Sequence, residues 1–591
     1  MFLLCCTLAA FAQPLLGKKV SVTVTDKPVQ EVLSQLSRQG DFQFSYNSNL
    51  TRKYGKVSVQ AEDKTVKQVL DMIFAGSCLY RETGNYVILR KPGEYSYTIS
   101  GYVRDLSTGQ SVPNASVYEQ HQLVSTLTNE EGFFRLKLKD KYPDAAISLS
   151  KHMYMDTLMP LEPGFDQQLT VSLAPVRTRT LPVVVVTDNP VVEKTWLGRN
   201  FLSSRQKVQS LNIGGYFASR PFQFSLIPGL GTHGKMSGQV EDKFSFNILG
   251  GYNAGINGFE LGTIFNIVKG DMKYVQIGGV FNMVGGGMTG VQIGGVYNQV
   301  LDSVAGVQVG GLGSLVKGSV AGVQVGGLSN IVGGSVDGVQ IGGMYNQAMR
   351  GVDGVQISGM VNAAMGNMKG TQIGGLVSFT TNEMKGTQIS GLVNVARKVD
   401  GMQIAGLVNI AQSTKGFQLG FINIADSSSG FNLGFLNLIR HGYHKASVYA
   451  NDITPLNVAV KTGTYKFYNV LFAGGKPFGD KAYTLGYGIG SDFRLGRRLS
   501  LSLELSAQGI YLGTWENVPT IHRLQPNLQV SLAKGIAVYG GLALNVCYTP
   551  MPFTPVAGYE TLPIPEPGRL SWDLGHDTYS WLGWQVGLLL F

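Results

Sequence analysis

Between residues 246 and 437 one phrase, G-V-Q-[IV]-G-G, recurs with its glutamine at Gln276, Gln292, Gln308, Gln324, Gln340, Gln356, Gln372 and Gln388, a period of 16. The interval shortens to 15 at Gln403 and Gln418 and to 14 at Asn432, and Asn247 and Glu260 are degenerate first copies, about thirteen in all. A period this short with unequal ends specifies a stacked array closed by atypical units. Two constructions compete. In a β-solenoid, V-Q-[IV] is one short strand, Gly-Gly a corner that needs unusual backbone angles or close approach, and [VLM]-x-N a second strand. Stacking coils about 4.8 Å apart then lays Gln on Gln and Asn on Asn in hydrogen-bonded ladders. In the alternative, each unit is a barrel strand plus a turn. The shortened copies, such as FQLGFINIA, would then flip half a strand to the wrong face, so the solenoid is the preferred reading.

The residue before the repeat glycine runs Lys273, Thr289, Ala305, Ala321, Asp337, Asp353, Lys369, Lys385, Asp400, Lys415. Such mixing suits a solvated corner, whereas calcium-binding nonapeptides require a constant Asp. Only Asp337 and Asp353 put carboxylates on adjacent coils, too little for a lyase centre. No catalytic, cofactor or metal constellation is legible, and an enzyme is not expected; His121 and His152 lack partners at ligand spacing.

Composition agrees with a mainly β, multidomain chain: 78 glycines in 591 residues and 15% charged residues suit stacked or membrane-embedded β-structure. No long apolar helix follows the N-terminus, so a membrane protein of this composition would be a β-barrel. The opening MFLLCCTLAAFAQ reads as an export signal over 1–12. Cys78 and Cys547 then remain, in different predicted domains, which excludes a disulfide framework. The net charge of +10 is scattered and does not interleave with aromatics, so nucleic acid is not an expected partner.

Residues 18–91 alternate strand-like pieces (VSVTV, FQFSY, KVSVQ, YVILR) with two amphipathic helices, Pro28 to Gln39 and one opened by a Thr65–Gln68 capping box. This order resembles the secretin and TonB N-terminal short (STN) domain, which implies a periplasmic module docking an anti-sigma factor or a TonB-system component. Residues 97–173 carry Gly101, Val103, Asp105, Gly109, Val112, Pro113, Ala115, Val117, Thr128, Asn129, Gly132 and Phe134 in a pattern that resembles the carboxypeptidase-D regulatory-like β-sandwich. Met153-Tyr154 stands where that family often has Gly-Tyr, so the last hairpin is expected to differ. The tandem resembles the front of TonB-dependent receptors of Bacteroidota, and LPVVVVTDNP (181–190) is similar to a TonB-engaging segment, but no plug follows. Residues 174–245 read as a linker with lead-in strands. The array resembles a surface-repeat family of spirochaetes and Bacteroidota, which implies surface exposure.

From residue 438 the pattern changes to period-2 alternation. Leu499, Leu501, Leu503 and Leu505 alternate with Ser500, Ser502, Glu504 and Ser506, as lipid-facing and lumen-facing positions of a transmembrane barrel do. Eight such stretches fall near 444–451, 456–463, 466–475, 482–495, 498–512, 524–534, 536–548 and 580–591. The expected protein is thus an outer-membrane surface or structural protein: periplasmic docking modules, a solenoid, and a barrel in contact with outer-membrane lipid. The alternatives are a TonB-linked receptor or transporter component without a plug, and a secreted glycan-active solenoid.

Overall fold

The computed structural model describes residues 14–91, 96–142, 144–176, 191–214, 218–476, 478–516, 518–549, 556–561, 565 and 570–590. The expected signal segment and the 181–190 stretch lie outside them. Contacts divide the chain into Met1–Asn257 with Ile267–Lys269, and Gly258–Asn266 with Gly270–Phe591.

The first unit opens with an α/β module. Helix Val29–Gly40 buries Val29, Val32, Leu33 and Leu36 and stops where Asp41 turns left-handed. Helix Val66–Phe74 carries the full capping box, with Thr65 N–H donating to Gln68 and Gln68 N–H to Thr65. A third helix, Ser48–Tyr54, was not legible as a helix; it is about two turns long, capped by Asn47, which accepts from Asn49 N–H. Both long helices pack their apolar faces with Val20, Val22, Val87 and Leu89 of the strands into one core.

Seven strands follow as a sandwich of a four-stranded and a three-stranded sheet, closed on Ile99, Val117, Phe134, Leu136, Leu138, Ile147 and Leu173. Met153 sits at φ 71° where the resembled family has glycine, so a side chain occupies a left-handed position. The span read as a linker holds two short helices, Trp196–Phe201 and Ser204–Asn212, the second with its own capping box. They bury Glu193, which accepts from Tyr252 Oη at 2.5 Å and also from Ser210. Burial and the facing Glu193 carboxylate push the Tyr252 phenol well above its ordinary range.

The second unit holds most of the repeat array as a parallel β-solenoid. Each coil pairs a long strand such as Met288–Gly294 and a short strand such as Tyr297–Val300 with their equivalents in the next coil, Gln292 opposite Gln308 and Asn330 opposite Asn346. The shortened copies lose residues only at corners. One is dropped where Thr380 to Glu383 faces Ala396 to Lys398, and one where Leu419 to Ile422 faces Ile404 to Val408. Both strands therefore keep their phase.

The unusual angles fall elsewhere than expected. Gly290, Gly306, Gly322, Gly338, Gly354, Gly370, Gly386 and Gly401, before the V-Q step, lie at φ 116–145°, while the Gly-Gly pair has ordinary angles. The pair answers to close approach instead. A Cβ on Gly295 would stand 2.0 Å from the Gly279 carbonyl of the coil before, and one on Gly294 would stand 2.6 Å from the Asn298 amide.

The C-terminal part is a closed antiparallel barrel of eight strands: Tyr443–Asn451, Leu456–Gly463, Tyr468–Lys476, Ala482–Arg494, Leu499–Tyr511, Thr520–Ala533, Ile536–Tyr548 and Thr578–Leu590. The last strand pairs with the first, Leu588 opposite Val448, so no strand edge is left open. The strands fall where the period-2 stretches predict them.

Candidate membrane anchor and docking module

The barrel is inverted relative to a soluble one. Along Leu499–Tyr511, Leu503 and Leu505 face outward and are about half exposed, while Ser502, Glu504, Ser506 and Gln508 are buried inside. The same holds for Leu582, Trp584, Val586, Leu588 and Leu590 outside against Gln585 inside. Aromatic residues mark both rims: Tyr483, Trp515 and Tyr548 at one end, Tyr465 and Phe493 at the other.

Ion pairs fill the interior. Lys461 pairs with Glu504, which also accepts from Tyr468 Oη at 2.7 Å. Lys445 lies 3.0 Å from Asp492, and Tyr443 Oη donates to the same carboxylate at 2.9 Å. Near the other end Asp452 accepts from Arg523 at 3.0 Å, Asn545 at 2.9 Å and Trp581 Nε1 at 2.7 Å. These charges were missed as a set in the sequence, although Glu504 stood in the polar phase; the signal is that Lys445, Lys461, Asp492, Glu504 and Arg523 lie on the inward phase of their strands, while Asp452 follows the first strand in its turn. The gap between Lys461, Glu504, Ser506, Gln525 and Gln585 is about 10 Å³, space for no more than one water. Side chains thus fill this part of the lumen.

The predicted repeat residues come together as one ladder. Gln276 donates to Glu260 at 2.7 Å, and Gln292, Gln308, Gln324, Gln340, Gln356, Gln372, Gln388, Gln403 and Gln418 each donate to the glutamine one coil earlier at 2.6–2.9 Å. All are fully buried. The Asn ladder runs the other way, its amides donating one coil forward where the next coil also has asparagine, as in Asn330 to Asn346 and Asn346 to Asn362, both 3.0 Å. The Asp337–Asp353 neighbours are exposed, and Asp353 is paired with Lys369 at 2.8 Å. Among the described residues no three His, Cys, Asp or Glu side chains gather as a metal site.

In the N-terminal module, strands Gln43–Tyr46 and Leu79–Thr83 are the edges of a three-stranded sheet centred on Tyr86–Arg90. Beside the first edge lies a cleft of about 350 Å³ lined by Ser45, Tyr46, Asn49, Lys53, Ile88 and Arg90. Residues 42–92 match the sequence model of the secretin and TonB N terminus short domain. No curated protein and no solved structure matches the chain. The match covers 50 of the 74 residues of this module, including both edge strands of the three-stranded sheet.

In the sandwich, the Asp105 carboxylate accepts from the Ser107 hydroxyl at 2.5 Å, Thr108 N–H at 2.9 Å, Tyr154 Oη at 2.9 Å and Ser107 N–H at 2.7 Å. These donors, Ser107 foremost, hold its carboxyl well below the usual carboxylate range. The late Tyr154 thus ties the last hairpin to the first turn, which gives both residues a structural role.

Proposed function

We propose that the chain is an outer-membrane protein whose barrel is a closed lipid anchor and whose STN-like module docks a periplasmic protein of the TonB or secretin systems, with no catalysis of its own. The observation that carries the reading is the inverted barrel: apolar wall, rim aromatics and an interior of paired charges. Lipid on the outside makes that arrangement stable, whereas water there would leave a band of exposed leucine and valine far larger than a soluble monomer tolerates.

Loop lengths support an orientation. At the end where the repeats join, the turns 464–467, 495–498 and 534–535 have two to four residues; at the other end, 452–455, 477–481, 512–519 and 549–577 have four to twenty-nine. Outer-membrane barrels keep short turns on the periplasmic side. On this reading the repeats lie on the periplasmic side with the docking module, rather than at the cell surface as the repeat resemblance implies.

The test is fractionation of the full-length protein. It should pellet with outer membranes, resist carbonate extraction and migrate differently on gels with and without boiling; recovery as soluble periplasmic protein sinks the anchor. Crosslinking with residues 18–91 should capture an envelope partner, and no capture reduces the module to a spacer. A TonB-linked receptor is the second reading, carried by the STN match. Deleting 181–190 would abolish ligand uptake by a receptor and leave localisation of an anchor unchanged.

A further inference from the structure

We propose that the repeat array is itself a lipid-contacting element, lying along the membrane with its glycine corner among the acyl chains and its opposite corner in water. This rests on the barrel being membrane-embedded but does not follow from it, since a solenoid attached to a barrel could equally project into solvent.

The solenoid, like the barrel, is inverted. Its interior is the two amide ladders with rows of Val and Met, and its outward rows on either side of Gly-Gly are apolar coil after coil. The row just after the glycines is exposed in every coil from Val280 to Phe435 except at Val296, which is half-buried, with 52% at Leu312, 45% at Leu328, 44% at Met344, 49% at Leu407 and 53% at Phe421. The opposite corner exposes a polar side chain in coil after coil, Asp302, Lys317, Ser335, Arg350 and Asn367, with Met349 and Met365 exposed beside the last two. Each coil therefore has one apolar edge and one wet edge, and register keeps them aligned.

The junction with the barrel fixes the level of each edge. Phe435, in the exposed row of the last coil, stacks on Tyr487 with centroids 4.8 Å apart and rings 15° from parallel. Tyr487 projects from the wall at mid-strand of Ala482–Arg494. On the same coil the Ser429 carbonyl, at the polar corner, accepts from Lys466 Nζ at 2.9 Å, and Lys466 lies in the 464–467 turn at the barrel rim. The apolar edge is thus level with the middle of the lipid-facing wall and the polar edge with the rim.

Eleven coils carry the exposed row, from Val280 to Phe435. At about 4.8 Å per coil the stripe is roughly 50 Å long, beyond the ~30 Å of a hydrocarbon core. It fits lipid along the membrane plane, not across it. The stack also meets the condition lipid imposes on backbone, because parallel pairing from coil to coil satisfies its strands internally. Lipid is preferred to a second copy as the occupant because the stripe is continuous with the barrel wall through Phe435 and Tyr487.

The test uses full-length protein in vesicles, with the native cysteines replaced and one cysteine carrying an environment-sensitive fluorophore at Leu328→Cys (stripe), Ser335→Cys (polar corner) or Leu503→Cys (barrel wall). With acyl-chain-doxyl lipids, emission from 328 and 503 should fall by about half and that from 335 by less than about a tenth, as expected for an edge among the acyl chains beside a corner at the rim. Quenching at 503 but not at 328, with 328 open to aqueous iodide, overturns the inference and leaves the anchor standing. If 328 is shielded from both quenchers and crosslinks between copies, a second chain covers the stripe and the inference fails. Absence of lipid quenching at 503 overturns the anchor itself, and the inference with it.

Discussion

Asn437, the last rung of the Asn ladder, donates its side-chain amide to Asn469 on the outside of the barrel wall. Asn469 in turn donates to the Gly434 carbonyl at 2.7 Å, and the Thr462 hydroxyl donates to the Asn437 carbonyl. The amide row of the repeats is thereby carried onto the barrel by side chains, without strand pairing between the two.

The Asn ladder has gaps that can be filled. Ser314 and Ser378 replace asparagine, and among the described residues Asn330 Oδ1 and Asn394 Oδ1, one coil later, are buried without a hydrogen-bond partner. Ser314→Asn should restore an acceptor for the Asn298 amide and a donor to Asn330 Oδ1, since Gly310 leaves the same space that Gly294 leaves for Asn298. Two bonds of about 1 kcal/mol each should raise the denaturant midpoint of the array; an unchanged or lower midpoint contradicts the ladder as a source of stability.

Gly322 and Tyr274 occupy equivalent positions in different coils. Gly322 has φ 131°, and a Cβ there would meet the Gly306 carbonyl at 2.1 Å. Gly322→Ala should therefore cost about 3 kcal/mol or more, from a glycine-only backbone region and a clash against fixed backbone. Tyr274 is at φ 76° near the start of the stack and is 64% exposed. Tyr274→Gly should be neutral or stabilising by up to about 1 kcal/mol. Equal effects of the two changes in thermal melts would refute the close-stacking account.

Lys461 and Glu504 test the filled lumen. Lys461→Met leaves a buried carboxylate without its cation and should cost about 3–5 kcal/mol, seen as loss of the compact unboiled band on gels. Adding Glu504→Met should recover most of it, because the pair is then replaced by apolar side chains of similar size. No rescue would mean that Lys461 acts through something other than Glu504.

The Asp105 turn predicts a pH dependence. Its folded carboxyl lies below the ordinary value, so its contribution is present above about pH 4 and is lost as pH falls through the lower folded value. Asp105→Asn should lower the stability of the N-terminal unit at neutral pH and flatten its acid limb, the difference between the two proteins shrinking as pH falls. An acid limb identical in both proteins would remove Asp105 from the account.

Much of this architecture is legible from period alone. A constant glutamine every sixteenth residue can only be buried in a stack if it pairs with its own copies, and period-2 alternation placed all eight barrel strands. Glycine was harder to read. Gly-Gly suggests a corner with unusual angles or close approach; only the close approach applies to it, and the left-handed angle falls on the single glycine before V-Q, because a short repeat does not reveal which glycine faces a turn and which faces a neighbouring carbonyl. The outward apolar rows were present in the sequence at Leu312, Leu328 and Met344, but only the assignment of the amides to the inside shows that these residues face out. The helix Ser48–Tyr54 is too short for its periodicity to register.

The opposed donor directions of the two ladders bear on how the array can change length. Glutamine amides point their hydrogens toward the N-terminal coils and asparagine amides toward the C-terminal ones. Each added unit inserts two side-chain dipoles of opposite sense, and sheet backbone adds little. No field accumulates along the stack, so recombination between near-identical 16-residue units can lengthen or shorten the protein at constant electrostatic cost, with selection left to act on reach alone.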